Sequence, residues 1–447
     1  MRMCWAIVGL AFGCTFKAEP PDVVLITVDT LRRDHVGAYN PDSPAKTPHM
    51  DALAADGVRY TDAFSPISVT GPAFVSLMTG LEPGEHGVLT NLFRGGTPLS
   101  EKVDTLAERF SAADYGTGAF VSAFTLRQGL GLGQGFDVYN GGEQSNREGA
   151  LTTSIFGPWL GVQEGKVFTW VHFFDAHGPV YRWIEPKDSE IDWERDPARL
   201  AHIPSYQRID DITDARLYRQ LYARGVEYAD KQVGVVVAQL KQVGRYEDAL
   251  IVVIADHGEG FEERELWYDH GHSAHAEQTQ IPLLIKYPKN RNAGGLDDRL
   301  VSLLDVAPTI LSFAGLPALP GVSGHSLIDK ANTHAVVKSE SSHCKRLKVL
   351  DCAPAGGQGK ELAVRSKSVT VVSQARPKGE VVTTYDRTTD GKEGGGIQSA
   401  VPTPLSGAVK SFVQDRRTRQ YGPLPNIGKA AQKRSEEAKL KMLGYLE

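Results

Sequence analysis

Cysteine is scarce: there are four in 447 residues, Cys4, Cys14, Cys344 and Cys352. So few exclude a disulfide scaffold, and no CxxC spacing marks a zinc knuckle. No stretch reaches the about 20 consecutive apolar residues that a membrane-spanning helix needs. Basic charge is not in excess, with 49 Lys and Arg against 54 Asp and Glu. The chain therefore lacks the electrostatic footprint of a nucleic-acid binder. No internal repeat is visible, which excludes solenoids and propellers. What remains, at 41% hydrophobic residues, is an ordinary globular composition with ample core.

Two of the cysteines fall in a segment that reads as an export signal. Arg2 precedes the apolar run Cys4 to Gly13, and Cys14 follows. A positive start, about ten apolar residues and small residues at the end describe a secretory signal. Leu10 to Cys14 also resembles a bacterial lipobox, although Phe12 stands where a small residue is usual. Residues 1–14 are thus expected to be a signal. Cys14 is expected to carry a lipid anchor to the membrane, placing the chain in the periplasm or cell envelope. A signal without lipid and a buried first strand are the alternatives. Export would make Cys344 and Cys352, in a Gly/Pro/Ser-rich stretch, a candidate disulfide.

From residue 22 apolar strands alternate with amphipathic helices. Asp22 to Val28, Gly118 to Ser122, Val167 to Phe174 and Ala249 to Ala255 read as strands. Met50 to Asp56 and residues 214–243 read as helices. This alternation predicts an α/β fold, a mainly parallel sheet flanked by helices on both faces. After residue 330, Ser368 to Ser373 and Glu380 to Tyr385 predict a smaller C-terminal α+β subdomain with antiparallel pairing. The expected division is a catalytic domain over 20–330 and a subdomain over 331–447 that ends in a charged helix, Asn426 to Glu447.

Three strands end in aspartates: Asp29, Asp175 and Asp256. Sites in open α/β sheets form at the carboxyl ends of strands. One such aspartate alone is more simply a cap; three, two with histidines nearby, favour a site. In Ser65 to Gly80, Thr70-Gly71-Pro72 opens a helix with Thr70 close to its N-cap. The simplest role for that hydroxyl is the cap itself. A hydroxyl there also faces unpaired N–H groups and the positive dipole end, which suits a nucleophile attacking an anionic ester. Asp256 and His257 are adjacent, and with Asp29 they offer two carboxylates and an imidazole, a donor set for Zn²⁺, Mn²⁺ or Mg²⁺. His270, His272 and His275 lie within six residues, and Asp175 precedes His177 by two. His172, inside a strand, reads as packed.

Taken in order, these segments resemble the sulfatase family within the alkaline phosphatase superfamily. Val24 to Tyr39 is similar to that family's opening strand, and Thr47 to Val58 to its following helix. Asp256-His-Gly-Glu259, His270-Gly-His272 and Ile281 to Tyr287 resemble its later motifs. Val301 to Ile310, Tyr385 to Asp390 and Leu443 to Tyr445 resemble its C-terminal signatures. The resemblance implies a nucleophile beside a metal and a covalent ester intermediate. The family's modified Cys or Ser corresponds here to Thr70, which cannot become formylglycine. Its usual Arg is Phe74, its Lys-x-His is Ser122-Ala-Phe124, the aspartate after Asp29 is Thr30, and its usual Asn is His257.

These departures resemble the superfamily's phosphodiesterases and phosphoethanolamine transferases. They imply Asp29, Thr70, Asp256 and His257 around one divalent cation (Zn, Mn, Mg or Ca). Thr70 is then the nucleophile, and His177 and His270 the catalytic partners on the substrate oxygens. Asp175 and His272 are expected to bind substrate. A second metal at Asp175, His177 and a histidine of 270–275 is the alternative to a single ion. The expected substrate is a small anionic ester, a phosphate mono- or diester ahead of a sulfate, with no nucleic-acid partner. Transfer to an alcohol acceptor is one competing reading. A catalytically weakened binding protein, on the evidence of Phe74, Ser122 and Phe124, is the other.

Overall fold

The apolar run after Pro21 forms β1 (Val23–Val28), and every residue of it is buried. A strand covered on both faces has no polar side, so its sequence does not alternate. The same sheet contains β2 (Val58–Phe64), β3 (Gly116–Val121), β4 (Val138–Asn140), β5 (Val167–Phe173), β6 (Leu250–Ala255), β7 (Gln280–Lys286) and β8 (Gly295–Ser302). Their order is β8-β2-β7-β6-β1-β5-β3-β4. Neighbours run parallel except at β7, which is antiparallel to both β2 and β6. The computed structural model describes residues 20–418 apart from 93–95, 143–144, 184–191, 266, 343–359, 377–378, 390, 392 and 399–400.

Helices α1 (Pro48–Asp56), α2 (Thr70–Thr79), α3 (Gly149–Gly161), α4 (Ala215–Gln242) and α5 (Val306–Ala314) flank the sheet. α1 and α3 pack against α4, while α2 and α5 pack against each other. The long α4 follows its sequence pattern: Leu217, Leu221, Val226, Val233 and Leu240 are buried along one stripe. Each such side chain contributes about 1.5–3 kcal/mol of burial. The stripe fixes the helix against the sheet next to the strand ends.

A second, antiparallel sheet contains β9 (Val337–Glu340), β10 (Glu361–Arg365), β11 (Val369–Arg376), β12 (Gly379–Asp386) and β13 (Ile397–Gln398). Helix α6 (Thr403–Thr418) places Leu405, Val409 and Phe412 on Leu362, Val364 and Val371, a separate small core. The mainly parallel α/β sheet and the smaller antiparallel C-terminal sheet are therefore both present. Glu340 N donates to Pro66 O at 2.9 Å, which ties this sheet to the segment leading into α2. Among the described residues no helix is long and apolar enough to cross a membrane. The expected signal with Cys4 and Cys14, the candidate Cys344–Cys352 disulfide and the expected helix over 426–447 lie outside the described residues.

Candidate active site

Strand register brings two aspartates together. Val28 of β1 pairs with Ala255 of β6, so the next residues, Asp29 and Asp256, leave neighbouring parallel strands side by side. Such strands lie about 4.8 Å apart. The chain must turn sharply there, and Thr30 takes a left-handed φ of 54°. That conformation is uncommon for a residue with a Cβ. Thr30 N donates to Asp256 Oδ1 at 3.0 Å, and Tyr222 Oη donates to Thr30 O at 2.7 Å, which hold it. His257 N also donates to Asp256 Oδ1, at 2.9 Å, leaving Oδ2 for another partner.

That partner is not another protein group. Both oxygens of Asp29 and Oδ2 of Asp256 are buried without a hydrogen-bond partner. Each such group costs several kcal/mol uncompensated, so an arrangement of three implies a ligand. His257 supplies the next clue. Its Nδ1 lies 2.8 Å from Gly258 O and so carries the hydrogen. In the neutral ring Nε2 is then an acceptor, yet it stands 3.3 Å from Asp256 Oδ2. Two lone pairs facing each other fit a cation between them. Asp29, Asp256 and His257 each offer a donor atom, all within 4.8 Å of one another. The residues present therefore fit a divalent ion. Burial pushes Asp29 up to about 7 and Asp256 up to about 6, because a buried carboxylate is costly without a compensating charge.

Thr70 joins this group. Its Oγ1 is 3.3 Å from His257 Nε2. The simpler capping role is not the one it takes: Thr70 is the first residue of α2, Val69 is the N-cap, and no side-chain capping bond is made from that position. Gly71 N instead donates to Asn91 Oδ1 at 2.8 Å. The Thr70 hydroxyl is thus directed at the strand-end cluster.

The histidines line up outward from the carboxylates. The His257 and His270 rings lie 4.6 Å apart and the His270 and His177 rings 5.0 Å apart. His270, half-buried, is the most exposed of the three. Its Nδ1 is 3.3 Å from Glu259 Oε1. Burial and the nearby Asp269 push Glu259 up to about 8. His177 Nδ1 lies 2.7 Å from Gly178 O, and burial holds the ring well below its ordinary range. Arg182 donates to the carbonyls of Phe174 and His177 at 2.9 and 2.6 Å, clamping the turn that presents His177.

Two expected binders have other partners. His272 Nε2 is 3.1 Å from Asp269 Oδ2. Asp175 accepts from Gly149 N at 3.1 Å through each oxygen, which seats the start of α3. A Cβ on Gly149 would meet Asp175 Oδ2 at 2.6 Å, Gln232 Cγ at 2.8 Å and Phe173 Cδ1 at 2.9 Å. Gly149→Ala is expected to lower stability by about 1–3 kcal/mol through overpacking. A urea titration checks this, and an unchanged midpoint would contradict it.

The departures from the family pattern have physical occupants. Phe74 is buried with its ring 5.3 Å from Trp170 and 5.0 Å from His172, so its slot is filled by packing. Ser122 Oγ bonds Thr152 Oγ1 at 2.7 Å. Sequence reasoning missed two residues here. Glu259 holds His270, and the Asp-His-Gly-Glu motif was its signal. His172 packs on Phe74 as expected, but its Nε2 also approaches Asp29 Oδ2 to 3.3 Å. Its place in the strand gave no sign of that.

A family model described as Sulfatase matches residues 21–316. Among curated proteins the chain is similar to an ulvan-active sulfatase of Formosa agariphila. The two are 25% identical over 83% of this chain and 73% of that protein. It is similar also to human arylsulfatase A, 27% identical over 71% of this chain and 68% of the other. Among solved structures it superposes on a phosphonate monoester hydrolase of Agrobacterium radiobacter with a TM-score of 0.69 at 21% identity, covering 88% of this chain and 94% of that one. A 2-O GAG sulfatase gives a TM-score of 0.71 at 19% identity, covering 90% and 93%. With more than half of its length matched by that family model, the chain belongs to the sulfatase family.

Proposed function

We propose that this sulfatase-family hydrolase cleaves small anionic esters of phosphorus through a covalent ester on Thr70, with a divalent cation held by Asp29, Asp256 and His257. The observation that carries the proposal is the placement of Thr70 Oγ1 3.3 Å from His257 Nε2, beside buried carboxylate oxygens that lack partners. A bound divalent cation supplies charge that lowers the pKa of the hydroxyl and offsets charge on the transferring oxygens.

The chain's own groups account for the leaving-group proton. Thr70 Oγ forms the bond to phosphorus as the bond from phosphorus to the leaving oxygen breaks. With a cation in place Asp29 would hold no proton, so the hydroxyl proton passes to solvent and Thr70 attacks as its alkoxide. Glu259, raised to about 8 by burial, holds a proton beside His270 Nδ1, so His270 can give its Nε2 proton to the leaving oxygen as Nδ1 takes the one from Glu259. In the second half, the water oxygen bonds to phosphorus as the bond to Thr70 Oγ breaks, His270 takes the water's proton, and Thr70 leaves as the alkoxide it began as. His177 stays neutral, so its Nε2 is an acceptor that orients the hydrogen of the leaving group or the water.

Phosphorus is placed ahead of sulfur on two grounds. A threonine cannot supply the aldehyde hydrate of formylglycine chemistry. An imidazole at position 257, with His177 and His270 nearby, also suits a more highly charged transferring group. Fold relatives of both kinds, a phosphonate monoester hydrolase and a GAG sulfatase, show that the scaffold accommodates either element. Purified protein assayed with Mn²⁺, Zn²⁺ and Ca²⁺ on aryl phosphate mono- and diesters, an aryl phosphonate monoester and an aryl sulfate tests this. The phosphorus esters are expected to have kcat/KM at least about tenfold higher, ~1.4 kcal/mol of transition-state preference. A preference for the sulfate would overturn the assignment to phosphorus.

A further inference from the structure

At the far end of α2 from Thr70, a second set of donors converges. Asp305 ends the turn after β8 and is fully buried. His334 Nε2 approaches its two oxygens almost equally, at 2.8 and 3.0 Å. The His325 ring lies 4.6 Å from the His334 ring, tilted by 44°. One donor atom from each of Asp305, His325 and His334 falls within 4.8 Å of the other two.

An ordinary His–Asp pair needs only one imidazole, and nothing in such a pair brings a second ring to it. Here the chain is built to do so. Arg299 donates at 2.9 Å to the carbonyls of Leu327, Asp329 and Asn332, fixing the loop between the two histidines. His325 N donates to Asp305 Oδ1 at 2.7 Å, which anchors that loop's first histidine to the carboxylate itself. Leu327 N bonds Thr309 Oγ1 of α5 at 2.8 Å. The two histidines therefore sit on a loop that Arg299, Thr309 and Asp305 itself hold in place, against a carboxylate fixed at the end of a turn, as a preformed site requires.

We infer that Asp305, His325 and His334 form a second divalent-metal site, structural rather than catalytic, that takes Zn²⁺. Two imidazoles and a carboxylate are a borderline donor set suited to zinc, with water completing a tetrahedron. Zinc bonds of about 2.1 Å place tetrahedral donors about 3.4 Å apart, so His334 need shift by only about half an ångström. The site is remote from the proposed chemistry. Ser323 N donates to Gly80 O at 2.8 Å, so the loop packs on the carboxyl end of α2, ten residues or about 15 Å along the helix from Thr70. A bound ion would lock the loop onto the base of the helix that presents the nucleophile. The inference is independent of the function proposed above.

The test uses the full-length protein, stripped with a chelator, dialysed against zinc chloride and analysed for metal content. Wild type is expected to hold one zinc equivalent more than His325→Ala/His334→Ala, whereas Asp256→Asn is expected to keep the equivalent that the double variant loses. A hundredfold excess over Kd is worth RT ln(1 + [L]/Kd), so zinc is expected to raise the Tm of Asp256→Asn by about 3 °C. Adding the two histidine substitutions is expected to abolish that rise. If Asp256→Asn does not fold, cobalt replaces it as a readout: the visible bands of the cobalt-loaded wild type are expected to lose one component in the double variant. Equal zinc content in wild type and double variant, or cobalt spectra that coincide, would overturn the inference.

Discussion

Thr70→Ala is expected to lower kcat by about 10³-fold or more while leaving the fold and the metal content intact. The stability half of this expectation follows from the local geometry. Thr70 is not the cap of α2, and its side chain accepts no helix N–H, so alanine removes no capping bond. Alanine is also the better helix former, and the net change should stay within about 1 kcal/mol. The kinetic half follows from the position of Oγ1, 3.3 Å from His257 Nε2 beside Asp29 and Asp256. Among the described residues no other hydroxyl bonds a side chain of that group; Thr30 Oγ1 donates only to the backbone carbonyl of Asp29, at 2.8 Å. Thr70→Ser keeps the oxygen and is expected to retain activity within about tenfold, ~1.4 kcal/mol of barrier. Acid-quenched wild type should show a phosphoryl adduct on the peptide containing Thr70, absent from the alanine variant. Turnover by Thr70→Ala equal to wild type, with metal bound, would remove the covalent route.

The strand-end aspartates were legible because a doubly covered strand is a continuous apolar run, and the first polar residue marks its end. That rule located Asp29 and Asp256, and parallel register then placed them side by side. It also picked out Asp175, whose oxygens the structure pairs with Gly149 N, 26 residues away. A cap and a site residue look alike until the partner is known. His172 was illegible for a related reason. It pairs with Thr27 in the parallel register, and nothing local says that its ring turns toward Asp29. The antiparallel β7 was not distinguished from its parallel neighbours, since a buried strand reads the same in either direction. Asp305, His325 and His334 carry no spacing signature, being joined only by how the loop folds back on α5.

Removing the metal is expected to steepen the protein's pH response as well as abolish its activity. In the metal-free protein burial raises Asp29 to about 7, Asp256 to about 6 and Glu259 to about 8. A raised carboxyl binds more protons folded than unfolded, so its contribution is fully present below the unfolded pKa, near 4. It is lost as pH rises through the folded value. The buried histidines have the opposite sign. His172 falls to about 3 and His177 well below its ordinary range, so their contribution is lost as pH falls below the unfolded value near 6.5. Between about pH 6.5 and 8.5 the buried histidines stay neutral in the folded protein and lose only their last half-charge in the unfolded chain, so the carboxyls dominate. Over that window the chelated protein is expected to lose about 2–3 °C of Tm, on the order of 2–3 kcal/mol. A divalent cation replaces the protons on Asp29 and Asp256, so the loaded protein should show a much shallower slope, and its advantage over the stripped form should grow with pH. Asp256→Asn removes one of the buried charges and should flatten the metal-free slope without restoring turnover. Thermal melts at fixed ionic strength, with and without chelator, check each of these. A stripped protein as stable at pH 8.5 as at 6.5, with full activity, would mean that no cation belongs between Asp29, Asp256 and His257.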